Sequence, residues 1–272
     1  MRTLDLSLSI MRERMRAGRM LVIWPLLTLS IILASWGLSN PLAVLPVELD
    51  ADSAYDLMYV STVAAVFTAS MSAVIISFDG VSRDRLSGVL EVKLTQPIPR
   101  RQYAMSMLLG HWAVILVPVT LLNLISILII WYYIGDLPSL AELFVHIFAT
   151  ALFLFWWTAI QLLASTWTKD MGSSIATGIG VWMIFVFFWL IIPTVVAGLL
   201  GVGVENLDSE DFKQVKANVD LFSPNGMYHH LLEMQVDGID RGTNPVWISL
   251  AAIVWSILPA NLLIRRMERI EP

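Results

Sequence analysis

The chain contains six long apolar stretches, and no Asp, Glu, Lys or Arg interrupts any of them. They occupy residues 20–39, 57–78, 107–134, 143–165, 171–192 and 246–264. A helix of about 20 apolar residues crosses the roughly 30 Å hydrocarbon core of a bilayer. The pattern therefore predicts an all-α membrane protein with six transmembrane helices. The composition agrees, since 57% of the residues are hydrophobic, only 14% are charged and the mean hydropathy is +0.73.

The fifth apolar stretch does not stop at residue 192 but runs on to about residue 204, which is too long for a single crossing. Pro193 lies inside it, and proline removes a backbone donor and bends or ends a helix. We therefore expect a broken or re-entrant segment between the fifth span and the last one.

Lysine and arginine are distributed unevenly between the loops. Fourteen of the seventeen lie at 1–19, in the loop at 79–106, at Lys169 and in the C-terminal tail, whereas three lie at 201–245. Because Lys and Arg in loops favour the cytoplasmic side, both termini are predicted to be cytoplasmic in a cell membrane. The loop at 79–106 is then cytoplasmic, and the loop at 201–245 is extracellular. The outer segments carry fourteen of the 22 acidic residues.

Residues 1–19 precede the first span and have an amphipathic pattern. Leu4, Leu8, Met11 and Met15 fall on one helical stripe, and arginines flank it. Such a helix lies in the membrane interface with its arginines near the lipid headgroups. We divide the chain into this interface helix and a transmembrane domain over 20–272. Simple anchoring explains the helix as well as any further role does.

Two spans carry small residues at every fourth position, which permits close helix packing. The second span has Ser61, Ala65, Ala69, Ala73 and Ser77, and the fifth has Gly172, Ala176 and Gly180. Packing inside the bundle is the favoured explanation for both faces, and packing against a second subunit is the alternative.

The sequence excludes several classes of function. No glycine is followed by lysine, so the chain lacks a G-x-x-x-x-G-K-[ST] phosphate loop, and there is no cysteine. The four histidines form no HExxH-like metal set and no nucleophile with a base. The spans contain no Asp, Glu, Lys or Arg, which ion-coupled transporters use as relays or coupling sites. His111 and His146 lie within them, and interhelical hydrogen bonding is the favoured role for both. We expect a chain that is not an enzyme, binds no cofactor and no nucleic acid, and takes any energy from a partner.

The loop between the second and third spans reads "FDGVSRDRLSGVLEVKLTQPIPRRQYAMSMLLGHW". Ser82 or Asp84 can cap a short helix there, and Leu90 and Leu94 form an apolar stripe beside Glu91. Two prolines then end the helix before the next span. The pattern predicts a short, rigid docking helix. An ordinary basic loop would explain the arginines but neither the leucine stripe nor the paired prolines.

This loop resembles that of the ABC-2 type permeases, approximately E-R-x-x-G-T-L-E-x-L-L-x-x-P-[IV]-S-R followed by G-K. The matches are Arg85, Gly88, Leu90, Glu91, Leu94, Pro97, Ile98 and Arg100. The departures are Asp84 for Glu, Val89 for Thr, Pro99 for Ser and His111 for Lys. The basic N-terminal helix, the six spans and the tail "LLIRRMERIE" are also similar to the family. The loop is most similar to that of the branch that contains the NosY permease.

The resemblance implies the membrane subunit of an ATP-binding-cassette exporter, with two copies of a cassette ATPase that carry ATP and Mg²⁺. The resemblance also implies a second copy of the permease, in a homodimer, and accessory subunits as further partners. The coupling residues would be Arg83, Asp84, Arg85, Gly88, Glu91, Pro97, Arg100 and Arg101, with Lys169 and Asp170 of "STWTKDMGSS" in a second coupling loop. An ATP-independent channel or scaffold is the alternative. The cargo stays open.

The predicted extracellular loop at 201–245 contains "GMYHHLLEMQ". Met227, His230 and Met234 share one helical face, and His229 adds a second imidazole. Thioether and imidazole groups are suitable copper ligands. The favoured interpretation is an interfacial helix whose methionines serve in packing, since no cysteine accompanies them.

Overall fold

The computed structural model describes residues 3–43, 53–203, 207, 209–236 and 242–270. Parts of the loop at 201–245 and both chain ends lie outside these residues. The described residues form twelve α-helices and a short 3-10 turn. They are α1 (Thr3–Met15), α2 (Met20–Ser39), α3 (Ala54–Ser77), α4 (Ser82–Leu86), α5 (Val89–Leu94), α6 (Arg100–Ile134), α7 (Leu140–Trp167), α8 (Met171–Val186), the 3-10 turn Phe188–Leu190, α9 (Ile192–Leu199), α10 (Glu210–Asp220), α11 (Pro224–Glu233) and α12 (Pro245–Glu268).

Six of these helices are long and apolar enough to cross a membrane: α2, α3, α6, α7, α8 with its 3-10 turn, and α12. The prediction of an all-α protein with six spans is confirmed. Helix α6 has 35 residues and is about 52 Å long, longer than a bilayer core, so its first turns extend beyond the predicted span.

Two of the long helices begin at capping boxes that the sequence supplies. Ser53 and Asp56 form a capping box at the start of α3, and Ser139 and Glu142 form another at the start of α7. Each box satisfies backbone N–H groups that the first turn leaves without a helical partner. Local polar residues therefore set where these two spans start.

The two ends of the bundle differ in charge and in the elements they carry. One end, here the basic end, holds α1, α4, α5, the α7–α8 loop and the end of α12, where Arg100 donates to the carbonyl of Ile270. The other, here the acidic end, holds α10 and α11. There Ala54 N–H donates to Asp136 at 2.9 Å and Tyr55 donates to the carbonyl of Leu232 at 2.8 Å.

Helix α1 packs along α6 rather than touching lipid alone. Ser7 is buried against α6, and Ser106 donates to the carbonyl of Thr3 at 3.0 Å. Leu4 and Leu8 of the predicted stripe are exposed beside this contact, whereas Met11 and Met15 pack against the core. The helix thus has one face against protein and a second apolar face that remains open.

Gly110 of α6 makes this contact possible, and we expect Gly110→Ala to loosen α1. A Cβ at Gly110 would lie 2.8 Å from the Cβ of Ile10 and 3.0 Å from the carbonyl oxygen of Ser7. Overpacking of this kind costs about 1–3 kcal/mol. Hydrogen exchange should become faster over residues 3–15. Gly37→Ala is the control, because nothing lies within 4 Å of a Cβ there. Unchanged exchange in Gly110→Ala would contradict the packing.

The break after the fifth span is present, and the short helix that follows it begins at the predicted proline. Helix α8 ends at Val186, and Pro193 lies in the first turn of α9. Proline is tolerated there because the first helical N–H groups have no partner in any case. Pro193 therefore lies at the start of α9 and does not end α8.

The two small-residue faces have different fates. Ala69, Ala73 and Ser77 of α3 are buried inside the bundle, as predicted. Gly172, Ala176 and Gly180 of α8 are exposed, and nothing lies within 4 Å of a Cβ at Gly180. The expectation of internal packing is thus wrong for α8 within this chain.

Candidate functional site

The basic end carries two short helices where the sequence predicts a docking helix. Helices α4 and α5 are separated at Gly88, whose φ of +70° is left-handed. A Cβ at Gly88 would meet no atom within 4 Å, so the backbone conformation alone favours glycine here. The loop is therefore a helix pair with a sharp turn.

The predicted leucine stripe of this loop faces inward. Leu90 is buried in a cluster that includes Met107 of α6 and Leu263 of α12, and Leu94 packs against the same cluster. These leucines hold α5 onto the bundle. They are not available to a partner, which corrects the expectation that they form a docking face.

Three other apolar residues of the helix pair are exposed instead. Leu86, Val89 and Val92 are 64%, 40% and 63% exposed, and we call them the apolar patch. Glu91 lies exposed among them and forms no ion pair with any residue that the structure describes. Exposed apolar groups with a polar neighbour are typical of protein contacts. The sequence analysis missed these residues, although their spacing of three was visible in it.

The second predicted coupling loop lies against the first. The backbone N–H groups of Val81 and Ser82 donate to Ser165 Oγ at 3.2 and 3.1 Å. Arg85 donates to the carbonyls of Thr166 and Thr168 at 3.0 and 2.5 Å. The guanidinium of Arg85 thus joins the loops to each other. The two predicted coupling loops form one connected surface.

The remaining predicted coupling residues divide into internal and exposed groups. Asp84 pairs with Lys93 at 2.6 Å, and Arg100 donates to the carbonyls of Glu268 and Ile270 at 3.0 and 2.5 Å. Both therefore brace the loop. The exposed members are Arg83, Pro97, Arg101, Lys169 and Asp170, and Trp167 beside them is also exposed.

Asp170 caps the start of α8 at this surface. Its carboxylate accepts hydrogen bonds from the N–H of Ser173 at 2.9 Å and from the Ser173 hydroxyl at 2.8 Å. The backbone bond, followed by the hydroxyl bond, lowers the pKa of Asp170 below its ordinary value. The cap is therefore charged at neutral pH and would weaken only as strong acid protonates it.

A buried ion pair fixes α1 and the start of α2 to the beginning of the loop. Asp79 is fully buried, and it accepts from Arg14 Nη1 at 2.8 Å and from both terminal nitrogens of Arg19 at 2.9 and 2.7 Å. Arg19 also stacks over Phe78, 4.7 Å from the ring centre. We call Asp79, Arg14 and Arg19 the arginine clamp. It connects the interface helix rigidly to α4.

The suggested copper ligands at the acidic end do not converge. Met227 is buried in packing with Trp156, whereas Met234 is exposed beyond the end of α11. His230 Nε2 lies 2.8 Å from the carbonyl of Ala217, so this nitrogen carries a proton and has no lone pair for a metal. His229 instead stacks edge-on against Tyr59. Over the described residues, no three His, Cys, Asp or Glu side chains are grouped to hold a metal.

The family model described as ABC-2 family transporter protein matches residues 11–268. The chain belongs to the ABC-2 transporter family. It is accordingly a multi-pass membrane permease component of an ABC transporter, a class of subunit that works with a separate ATPase and is generally not catalytic itself. A search of curated proteins found no match. Similarity to the NosY branch of the ABC-2 family stays a prediction.

Proposed function

We propose that the chain is the translocating subunit of an ABC-2 exporter and that it docks a cassette ATPase on its basic end. The observation that carries the proposal is the apolar patch around Glu91, exposed on helices that are themselves fixed to the bundle. Leu86, Val89 and Val92 offer apolar contact area to a partner, and Glu91 offers a charge that forms no ion pair with another described residue. Buried apolar contacts with a polar group at their edge give both affinity and register.

The bracing of the patch explains how an ATPase could act on the spans. Leu90 packs α5 onto α6 and α12, Arg85 ties α4 to the end of α7, and the arginine clamp ties α4 to α1. A push on the patch therefore displaces several helices together, because packed elements move as rigid bodies. Closure of an ATPase pair on ATP and Mg²⁺ would supply that push, and no ATP site is needed in this chain.

We place the basic end on the cytoplasmic side of a cell membrane. Positively charged loops favour that side, and the open apolar face of α1 at Leu4 and Leu8 is suited to the cytoplasmic leaflet. Both termini are then cytoplasmic, and the acidic end is extracellular.

The test is purification of the tagged protein from its native membrane in mild detergent, with identification of the chains that accompany it. We expect a cassette ATPase at two copies per transporter. Recovery of other intact membrane complexes without any ATPase would favour the ATP-independent channel or scaffold. Accessory subunits recovered with the ATPase would narrow the cargo.

A second permease copy fits the exposed small-residue face of α8. Gly172, Ala176 and Gly180 allow two backbones to approach closely, and this face has no partner among the described residues of one chain. We therefore expect Ala176→Cys to form a disulfide-linked dimer on mild oxidation in membranes. The chain has no cysteine of its own, so no bond can form within one chain, and a product at twice the monomer mass marks two linked copies.

Leu33→Cys on the exposed side of α2 is the matched control, and it should crosslink at most weakly. The readout is the dimer band on a non-reducing gel at low expression. A bond that forms equally well at both positions would reflect random collision and would contradict a dimer built on α8.

A further inference from the structure

The acidic end contains an elongated cavity of about 830 Å³ that the sequence did not predict. It lies between α3, the end of α8, α9, α10 and α11, and it follows α3 from Tyr59 to Phe67, a distance of about 12 Å. Its volume is within the roughly 300–1,000 Å³ that is usual for small-ligand sites. Its depth runs from the loops of the acidic end toward the middle of a span.

The two ends of this cavity differ in polarity. The part of the cavity nearer the middle of α3 is lined by apolar side chains, among them Val63, Val66 and Phe67 of α3 and Phe185 of α8. Val63 and Phe67 are also exposed, so this part is a groove that is open on the outside of the bundle. The other end, here the mouth, is lined by α10, which contributes Lys213 and Lys216. The cavity is therefore apolar over most of its length and cationic at its mouth.

The two lysines are distinctive because the surrounding segments are acidic. The predicted outer segments carry only three Lys or Arg residues against fourteen acids, and two of those three line this one cavity. Lys213 pairs with the exposed Glu210 at 3.2 Å, a surface contact that contributes little. Lys216 forms no ion pair with any described carboxylate.

One acid also lines the cavity. Asp220 is buried and accepts from Trp189 Nε1 at 3.0 Å, which fixes its carboxylate within the wall. The described lining thus has two lysines and one carboxylate, and both lysines are exposed and can reorient toward a ligand acid. A cleft with an excess of one sign of charge concentrates ligands of the opposite sign.

From these features we infer that the cavity binds a single-chain amphiphile, with its acidic head group at Lys213 and Lys216 and its aliphatic tail along α3. The inference that this amphiphile is the cargo rests on the permease function proposed above. The inference that the cavity binds it does not rest on that function, since the cavity and its charges belong to this chain alone.

The test uses the full-length protein in phosphatidylcholine nanodiscs and a photoreactive palmitic acid carrying a diazirine in its tail. Labelled peptides are identified by mass spectrometry after brief illumination. We expect labelling of peptides that contain Val63, Phe67 and Pro193. Charge reversal in the double variant Lys213→Glu/Lys216→Glu should reduce labelling about tenfold or more, because like charges facing each other cost several kcal/mol.

Two controls distinguish binding at the lysines from a nonspecific effect of net charge and from nonspecific hydrophobic partitioning of the probe. Asn218→Asp also makes exposed α10 more acidic but does not line the cavity, and it should label as the unmodified protein does. The methyl ester of the probe lacks the acid and should label weakly in every variant. Equal labelling by acid and ester, or labelling unchanged by charge reversal, would overturn the inference.

Other outcomes identify which conclusion fails. If phosphatidylglycerol in the nanodisc displaces the probe as well as free palmitate does, the assignment to a single-chain ligand is overturned in favour of a resident lipid. Co-purification of the ATPase is measured on the same variants. If the unmodified protein is not labelled but co-purifies with the ATPase, only this inference is overturned. If it is labelled as expected but no ATPase co-purifies, only the proposed function is overturned.

Discussion

Charge reversal at Glu91 is expected to separate this permease from its ATPase while leaving it folded and inserted. Glu91 is exposed among Leu86, Val89 and Val92 and has no ion pair within the described part of the chain, so charge reversal breaks no ion pair of the fold. The unfavourable charge in the first turn of α5 costs only about 1 kcal/mol or less at an exposed site. In the proposed interface with the ATPase, the Glu91→Lys side chain would face groups arranged for a carboxylate. A mismatch of this kind costs several kcal/mol, which corresponds to about tenfold weaker binding or more.

The measurement is the amount of ATPase recovered with the tagged variant, together with ATP-driven transport once the cargo is known. Glu13→Lys is the matched control, because Glu13 is also an exposed acid at the basic end but lies on α1, away from the patch. Full ATPase recovery and transport in Glu91→Lys would refute the role of this residue. Equal losses in both variants would show an effect of net charge instead of a specific contact.

Removal of the Asp79 carboxylate should have the largest effect on stability. Asp79 is fully buried, while Arg14 and Arg19 are only 13% and 26% exposed, so Asp79→Ala leaves two guanidinium groups partly desolvated without their partner. Breaking one side of such a pair costs about 3–5 kcal/mol. We expect the Tm in detergent to fall by roughly 6–20 °C. Proteolysis should also release α1 at lower protease concentrations.

Asp84→Ala provides the comparison on the same loop. Asp84 pairs with Lys93 at 2.6 Å, but the lysine is 37% exposed, so this pair contributes at most about 1 kcal/mol. Its Tm should change by no more than roughly 4 °C. A similar Tm for Asp79→Ala and Asp84→Ala would show that the arginine clamp does not hold α1 in place.

Together the two variants separate docking from transmission. Glu91→Lys acts on the surface that a partner would contact, whereas Asp79→Ala acts on the connection from that surface to α1. A Glu91→Lys chain should keep its Tm and lose the ATPase. An Asp79→Ala chain that still folds should retain ATPase and lose efficiency in transport, because the push on α4 no longer reaches α1.

Several features of this protein were predictable from residue order alone. The six spans follow from runs of about 20 apolar residues, because a bilayer core accepts little else. Ser53 with Asp56 and Ser139 with Glu142 mark the starts of α3 and α7 through local capping. The loop between the second and third spans was recognisable by Gly88, Glu91 and its prolines, which led to the family.

The tertiary structure decided which side of each helix is used. The loop helices α4 and α5 carry two sets of similarly apolar residues. Leu90 and Leu94 are packed against α6 and α12, whereas Leu86, Val89 and Val92 are exposed. Only the packing of α6 and α12 shows which set is buried. Likewise Arg85 and Arg100 donate hydrogen bonds to the carbonyls of Thr168 and Ile270, each more than 80 residues away. Sequence spacing carries no information on such distant partners.

The sequence by itself therefore determined the membrane class, the number of spans, the capped starts of α3 and α7 and the presence of a short helical loop between the second and third spans, since each depends on hydrophobicity or on contacts within a few residues. The expected caps of that loop are wrong, because neither Ser82 nor Asp84 caps α4 or α5. The tertiary structure alone decided the apolar patch, the arginine clamp on Asp79, the open face of α8 and the cavity beside Lys216. Each of these arises where helices remote in sequence meet or fail to meet, and that arrangement is set by packing across the bundle.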